Sequence, residues 1–586
     1  MMNDHPVSIL AGPSRVLPDL RAHEVFEQRV RACPDQIAAA HGDRQLTYGE
    51  LNTRANQLAR ALLGRGLERE GVVGVLTERN LDWLTAVLAI FKAGGAYLPI
   101  EPNFPAERIA KMVARAGAKL VLTPPLIEAA CAEGYDAGDL GIAVARDQLA
   151  YIYFTSGSTG EPKGAMCEHA GLLNHLFAKI DDLEIGAGTV VAQTAPQCFD
   201  ISLWQLLAAL LVGGRTEIVE QQTILDANRF LDTISRAGVN VVQVVPSYLE
   251  VLVSSLAHHG RGLQDLEYVV ATGEALKQEL VERWFQVQPQ IKLVNAYGLT
   301  ETSDDTNHEI MSQPPAGERV PLGRPINNVQ IYVVDERLAP VPMGEPGEIV
   351  FSGVCVGRGY INDRERTRAA FIPDPIRPGQ RLYRSGDYGR ALPDGKLEFL
   401  GRRDSQVKIS GFRIEIGEIE NALLRVAGVR DGAVVVNKHL VAFYAGEQQL
   451  DAALIRAKLA AALPEYMVPS VFHWQKTLPL TENGKVDKKA LTALATELES
   501  AAQNGERPST ATEQSLAAAW ANVLGISQEQ IGRHDSFFDL GGTSLTALKL
   551  VIALDRAVTF KDLTTHSELG RLAALLDQRG EFSCSV

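Results

Sequence analysis

Cysteine is scarce in this sequence, and the six present, Cys33, Cys131, Cys167, Cys198, Cys355 and Cys584, never form a CxxC pair. That spacing excludes the common zinc-ligand patterns and supplies no disulfide framework, so reduced thiols and a cytoplasmic setting are expected. Positive charge is also short. The chain carries 57 Lys and Arg against 71 Asp and Glu, a formal charge of −14. With no local basic run to offset it, such a surface repels nucleic acid and anionic lipid, and neither is expected as a partner. Long apolar runs are missing too. The 83–98 stretch is broken by Lys92, and the N-terminal MMNDHPVSILAG has an acidic residue and no sustained apolar segment, so neither a membrane span nor a signal peptide is expected.

What is present is ordinary globular material, 46% hydrophobic over 586 residues, and too long for one compact core. Up to about residue 400, short apolar runs (VVGVL, KLVLT, VVQVV, YVVAT) alternate with amphipathic stretches of helical length. This predicts a large α/β domain over 1–403 with largely parallel, buried strands. A second block, 404–497, contains VKISG, a helix candidate at 415–426 and the strand-like AVVV and LVAFYA, which reads as a small α+β domain. Residues 498–511 lose apolar periodicity and collect Gly, Pro, Ser and Thr, the composition of a linker. Over 512–580, Leu516, Trp520, Val523 and Leu524 recur at helical spacing and a second amphipathic run starts at Ser544, predicting a small all-α, four-helix domain.

Several segments carry chemistry. LAYIYF runs into Thr155, Ser156, Gly157, Ser158, Thr159, Gly160, Glu161, Pro162, Lys163 and Gly164. Glycines let backbone N–H groups come close to phosphate, and hydroxyls and a cation add donors, although the spacing is not that of a Walker A loop. Asn295-Ala296-Tyr297-Gly298-Leu299-Thr300-Glu301-Thr302 is expected to place an aromatic face, a hydroxyl and a carboxylate within one turn, suited to a nucleobase and magnesium. Tyr383-Arg384-Ser385-Gly386-Asp387, the GRRDSQVKISG run at 401–411, and Asn483-Gly484-Lys485-Val486-Asp487 follow.

These five segments in this order resemble the core motifs of the adenylate-forming superfamily, and the chain looks like an adenylation domain of a nonribosomal peptide synthetase. The resemblance extends to FKAGGAYLPIEP, GEIVFSG and LPEYMVP and covers about residues 20–578. It implies that the 155–164 loop with Lys163 binds the ATP phosphates and that Tyr297 stacks on adenine beside Thr300. It further implies that Glu301 holds Mg2+, that Asp387 and Arg402 contact the ribose, that Asp404 is a hinge, and that Lys485 is the catalytic lysine meeting the carboxylate and α-phosphate. Phe537-Phe538-Asp539-Leu540-Gly541-Gly542-Thr543-Ser544 is similar to the carrier motif in which the serine, here Ser544, bears phosphopantetheine. Leu299 departs from the proline common after Tyr-Gly, a change expected to be tolerated.

The implied substrate residues are Asp200, Ile201, Trp204, Gln243, Val270, Thr272, Ala296, Asp304 and Asp305. Asp200 would pair with an α-ammonium, which favours an amino acid over a fatty or aryl acid. Asp304 and Asp305, in an enclosed pocket, call for a cation, so an arginine-like side chain is expected ahead of lysine or ornithine, with Gln243 accepting a further hydrogen bond. A phosphopantetheinyl transferase and a small MbtH-like helper are expected partners. No Gly-x-Ser-x-Gly elbow is present and His258-His259 lacks the rest of a condensation motif, so the amino acid is expected to pass in trans to a condensing or tailoring enzyme. Two other readings stay open: an acyl- or aryl-CoA ligase, and a non-catalytic scaffold with a docking carrier.

Overall fold

The computed structural model describes residues 6–579 except 158–160, 261, 403–405, 410, 438, 482–485, 502–505, 539, 541, 543 and 555–556. The chain forms two compact units, one built mainly from residues up to Arg402 and the other mainly from Gln406 onward.

Two sheets of the first unit follow the α/β pattern. In one, Leu120–Leu122, Val72–Leu76, Ala96–Ile100 and Leu149–Thr155 lie parallel, and Lys163–Glu168 closes back antiparallel on the last. In the other, of nine strands, Lys292–Leu299, Tyr268–Ala271, Val241–Val244, Val190–Gln193, Arg215–Ile218 and Ile37–His41 are parallel neighbours. Asp304–Met311 flanks them antiparallel. The apolar runs of the sequence are these strands, buried on both faces because helices cover them. The buried helix Leu81–Lys92 accounts for the 83–98 stretch, and its Lys92 is ion-paired with Glu27. Among the described residues, no helix is long and apolar enough to cross a membrane.

The third sheet departs from the sequence expectation. Ile9–Ala11, Val329–Val334, Gly347–Gly353, Arg381–Ala391, Phe371–Pro373 and Leu397–Arg402 form six antiparallel strands. Arg381–Ala391 and Leu397–Arg402 are joined by a turn around Asp394-Gly395 too short to hold a crossover helix, which permits only antiparallel pairing there, whereas Ile9–Ala11 joins Val329–Val334 from far along the chain.

In the second unit a hairpin, Gln406–Ile409 with Phe412–Glu415, leads into the helix Ile416–Leu424. The sheet Asp431–Asn437, His439–Ala445 and Val471–Gln475 follows. Ile414, Ile419, Leu423, Val434, Ala442 and Leu459 share its core. Helices Ala511–Leu524, Ser544–Ala553, Phe560–Thr565 and Leu569–Arg579 bury a separate cluster around Leu516, Trp520, Phe537, Leu550 and Leu572. Thr510 and Glu513 form a capping box at the first of these helices.

Candidate active site

Thr155 ends one strand and Lys163 begins the next, and the two face each other across the antiparallel pair. The hairpin thus returns the lysine to the root of the Gly/Ser loop. The Thr155 hydroxyl is buried with no hydrogen-bond partner, an acceptor or donor held in reserve at the loop mouth. Ser156 is buried beside it. Ser158, Thr159 and Gly160 lie outside the described residues.

The Tyr297 to Thr302 segment is not a single turn. Tyr297 sits on the strand Lys292–Leu299, and Thr300, Glu301 and Thr302 form a 3-10 turn after it. Alternation along the strand sends Tyr297 among Phe351 and Phe399. Its hydroxyl donates to Asp387 at 2.5 Å. Asp387 also pairs with Arg402, its register partner on the neighbouring strand. The three residues expected around the nucleoside are therefore one linked group.

Glu301 is fully buried, accepts a hydrogen bond from the Tyr360 hydroxyl at 2.8 Å and lies 3.5 Å from Lys163 Nζ. The expected phosphate lysine and the expected metal carboxylate are thus in contact. A buried carboxylate beside a lysine at the root of the Gly/Ser loop suits a hard divalent ion, and the orphaned Thr155 hydroxyl suits phosphate, so the residues present fit Mg2+ and ATP.

Asp200 caps the helix Ile201–Leu207, its side chain accepting from the Ile201 N–H at 3.0 Å. Burial pushes its carboxyl up to about 6, against the Thr300 hydroxyl, which favours the anion, while Asp305 and Glu301 push the same way as burial. The cap and the ammonium-binding role are compatible, because the cap engages Oδ1 alone.

Ile201 and Trp204 come from this helix, Gln243, Val270 and Ala296 from adjacent parallel strands, and Thr272 from just past the end of Tyr268–Ala271. Gln243 is the register partner of Val270, which is that of Val294. Steps of two then bring Thr272 and Ala296 onto the same face. The Thr272 hydroxyl donates to the Ala296 carbonyl at 3.0 Å and lies 3.2 Å from Asp305.

Two expectations for this pocket fail. Asp305 does not await a substrate cation, because the fully buried Lys179 ammonium is 2.7 Å from its Oδ2. Nor does Gln243 offer its carbonyl oxygen. The Trp204 indole N–H, a donor only, bonds Gln243 Oε1 at 2.7 Å, and Gln205 Nε2 reaches the same oxygen at 2.9 Å. Gln205 is fixed in that orientation because its own oxygen accepts the N–H groups of Thr194 and Ala195. The atom Gln243 leaves without a partner is the donor, Nε2.

Asp304 differs from Asp305. Its Oδ2 is buried without a hydrogen bond, with His175 Nδ1 3.6 Å away. Burial and the charges of Asp305 and Asp200 push its carboxyl well up. Burial and the Lys179 charge push His175 down. Ser303 and Asp304 both adopt positive φ, at 56° and 85°. That backbone, uncommon for non-glycine residues, is held where the Ser303 hydroxyl donates to the Cys355 carbonyl at 2.8 Å.

Lys179 was missed because lysine usually reads as solvated surface. The signal was available. Leu172, His175, Leu176, Lys179 and Ile180 recur at i, i+3, i+4, i+7 and i+8 on the helix His169–Asp182, so the lysine stands on the apolar stripe. Lys485 and Asp404 lie outside the described residues. Ser544 begins the helix Ser544–Ala553, as the sequence predicts, and its hydroxyl lies outside what is described.

The profile of the family described as AMP-binding enzyme matches residues 26–361. That of the AMP-binding enzyme C-terminal domain matches 418–485, and that of the phosphopantetheine attachment site 514–576. The chain is 37% identical to bacitracin synthase 2 of Bacillus licheniformis, over 94% of its own length and 22% of that protein's. It is 36% identical to tyrocidine synthase 1 of Brevibacillus parabrevis, over 94% of its length and 52% of that protein's. Among solved structures it resembles a holo nonribosomal peptide synthetase protein containing adenylation and PCP domains, bound to a vinylsulfonamide inhibitor. The TM-score is 0.80 and the identity 27%, over 95% of this chain and 96% of that one. With the adenylation profiles preceding the carrier profile along the chain, the protein belongs to the AMP-binding enzymes, as an adenylation region followed by a carrier domain of the nonribosomal peptide synthetase kind.

Proposed function

We propose that the protein activates an α-amino acid with ATP, as aminoacyl-AMP and pyrophosphate, and transfers it to a phosphopantetheine thiol on Ser544. In this reading the adenylation region spans 1–403 and 404–497 and the carrier 512–580. The observation that carries it is adjacency. Thr300 and Glu301 of the nucleotide cluster act directly on the carboxyl of Asp200, so an acid able to hold an ammonium lies beside residues able to hold ATP. A fatty or aryl acid has no cation to offer that carboxyl, which disfavours the CoA-ligase reading. The intact Lys163 and Glu301 pair disfavours a non-catalytic scaffold.

Asp200 fixes the ammonium, and the aromatic group around Tyr297 with Asp387 and Arg402 fixes the nucleoside. Lys163 turns from Glu301 to the phosphates, and Lys485 supplies positive charge where the carboxylate attacks. Magnesium, when bound at Glu301, neutralises charge on the phosphate oxygens. The pocket reads a polar side chain. The arginine-like preference loses its basis once Asp305 is satisfied by Lys179 and the Gln243 oxygen by Trp204 and Gln205. What remains is an Asp304 oxygen and a Gln243 N–H, both buried without a hydrogen bond, suited to an uncharged side chain that both donates and accepts, such as an amide or imidazole.

The test is ATP–pyrophosphate exchange over a panel of amino acids, with and without an MbtH-like protein, coupled to intact mass. Exchange with one polar amino acid is expected, together with a phosphopantetheine mass gain that disappears in Ser544→Ala. That variant should keep pyrophosphate exchange near normal and lose covalent retention of labelled amino acid. Retained label would refute Ser544 as the attachment site, and no exchange with any amino acid would refute the activity.

A further inference from the structure

We propose that Lys179 is a positioning residue that sets the charge selectivity of the amino-acid pocket, occupying Asp305 as an internal counter-ion so that cationic side chains are refused. The inference rests on the reading above that the pocket serves an amino acid. Lys179 is fully buried, and its ammonium contacts two of the residues expected around the substrate. It lies 2.7 Å from Asp305 Oδ2 and 4.9 Å from the centre of the Trp204 ring. Trp204 is held from the other side by its indole hydrogen bond to Gln243. One cation thus fixes both the carboxylate and the aromatic wall, and a buried lysine is stable only with such a partner.

The pocket already contains a satisfied ion pair. A guanidinium or ammonium side chain entering it would meet the Lys179 charge and would find Asp305 engaged. Its other carboxyl neighbour, Asp304, is pushed away from the anionic form by burial and by the charges of Asp305 and Asp200. A neutral side chain carries no such cost, because it brings no charge to Lys179 and can accept from the Gln243 N–H, which has no partner.

Removing either partner of a buried pair leaves the other uncompensated, and in a pocket the substrate can supply the missing charge. Lys179→Met leaves Asp305 as an unpaired anion and is expected to raise kcat/KM for arginine, lysine and ornithine relative to neutral polar amino acids at least tenfold in pyrophosphate exchange. Asp305→Asn leaves Lys179 unpaired and is expected to raise the ratio for aspartate and glutamate over neutral amino acids by a similar factor. Lys179→Met/Asp305→Asn removes both charges and is expected to return both ratios to the wild-type values. A purely structural lysine would lower activity on every substrate alike and would not move two ratios in opposite senses. Unchanged ratios in the single variants overturn the proposal, as does a wild-type preference for a cationic amino acid. If Lys179→Met does not fold, Asp305→Asn decides alone, and no gain on acidic substrates refutes the inference. Absence of exchange by the wild-type protein with every amino acid would instead refute the activity itself.

Discussion

A carboxyl held at about pKa 6, as burial holds Asp200, is useful only to a partner that prefers its anion. In the proposed function the α-ammonium of the substrate is that partner. Because the free-enzyme carboxyl must be ionised to receive it, kcat/KM for the amino acid is expected to hold above pH 6 and to fall about tenfold per unit as pH drops below it. Asp200→Asn should abolish that limb and lower kcat/KM at pH 7.5 on the order of 100-fold, the loss of a charge-assisted contact of roughly 3 kcal/mol. Pyrophosphate exchange against pH measures both, and a flat acid limb in the wild type would remove Asp200 from the role. The same scale shows where the sequence was mute. Asp200, Trp204 and Gln243 could be named from their motifs, but the partner of each could not, since side-chain pairing depends on tertiary distance. Lys179 stands 126 positions from Asp305, and nothing local to either announces the bond.

The strand pair Lys292–Leu299 and Asp304–Met311 carries Tyr297, Ala296 and both aspartates, so its turn sets how these residues stand to one another. The register shifts between Tyr297 and Gly298, and a Cβ at Gly298 would stand 2.1 Å from the Asp304 carbonyl oxygen. Gly298→Ala must therefore push the second strand away. It is expected to cost about 1–3 kcal/mol by chemical denaturation and to raise the KM for the amino acid more than that for ATP. Equal effects on both would mean that the turn does not position the aspartates. Elements were legible where one period dominated: the parallel strands as continuous apolar runs, the helix Ser544–Ala553 from its amphipathic start. The antiparallel sheet was misread because its strands are buried enough to look like α/β strands, and only the length of their connections tells the two apart. The turn after Tyr297 was misread because Gly298 and Leu299 continue the strand, which burial against Phe351 and Phe399 stabilises.

At the scale of the whole molecule, the proposed function has Lys485 and Ser544 serve one amino acid in succession, which calls for movement between half-reactions. Asp404→Pro, which fixes φ at the proposed hinge, is expected to leave pyrophosphate exchange largely intact and to slow loading of Ser544 at least tenfold. Lys485→Ala is expected to do the reverse, crippling exchange while sparing transfer from a supplied aminoacyl-adenylate. Equal loss of both half-reactions in either variant would remove that residue from its role. Domain order was legible throughout, because each block keeps its own composition and its own core. The pairing of Ile9–Ala11 with Val329–Val334 was not, and it bears on how the protein is made. The first strand leaves the ribosome roughly 320 residues before its partner. At about 5–20 residues per second it waits on the order of 15–65 s with an unpaired edge. For that interval the segment has no partner strand, so this edge of the antiparallel sheet can close only after most of the first unit has been synthesised.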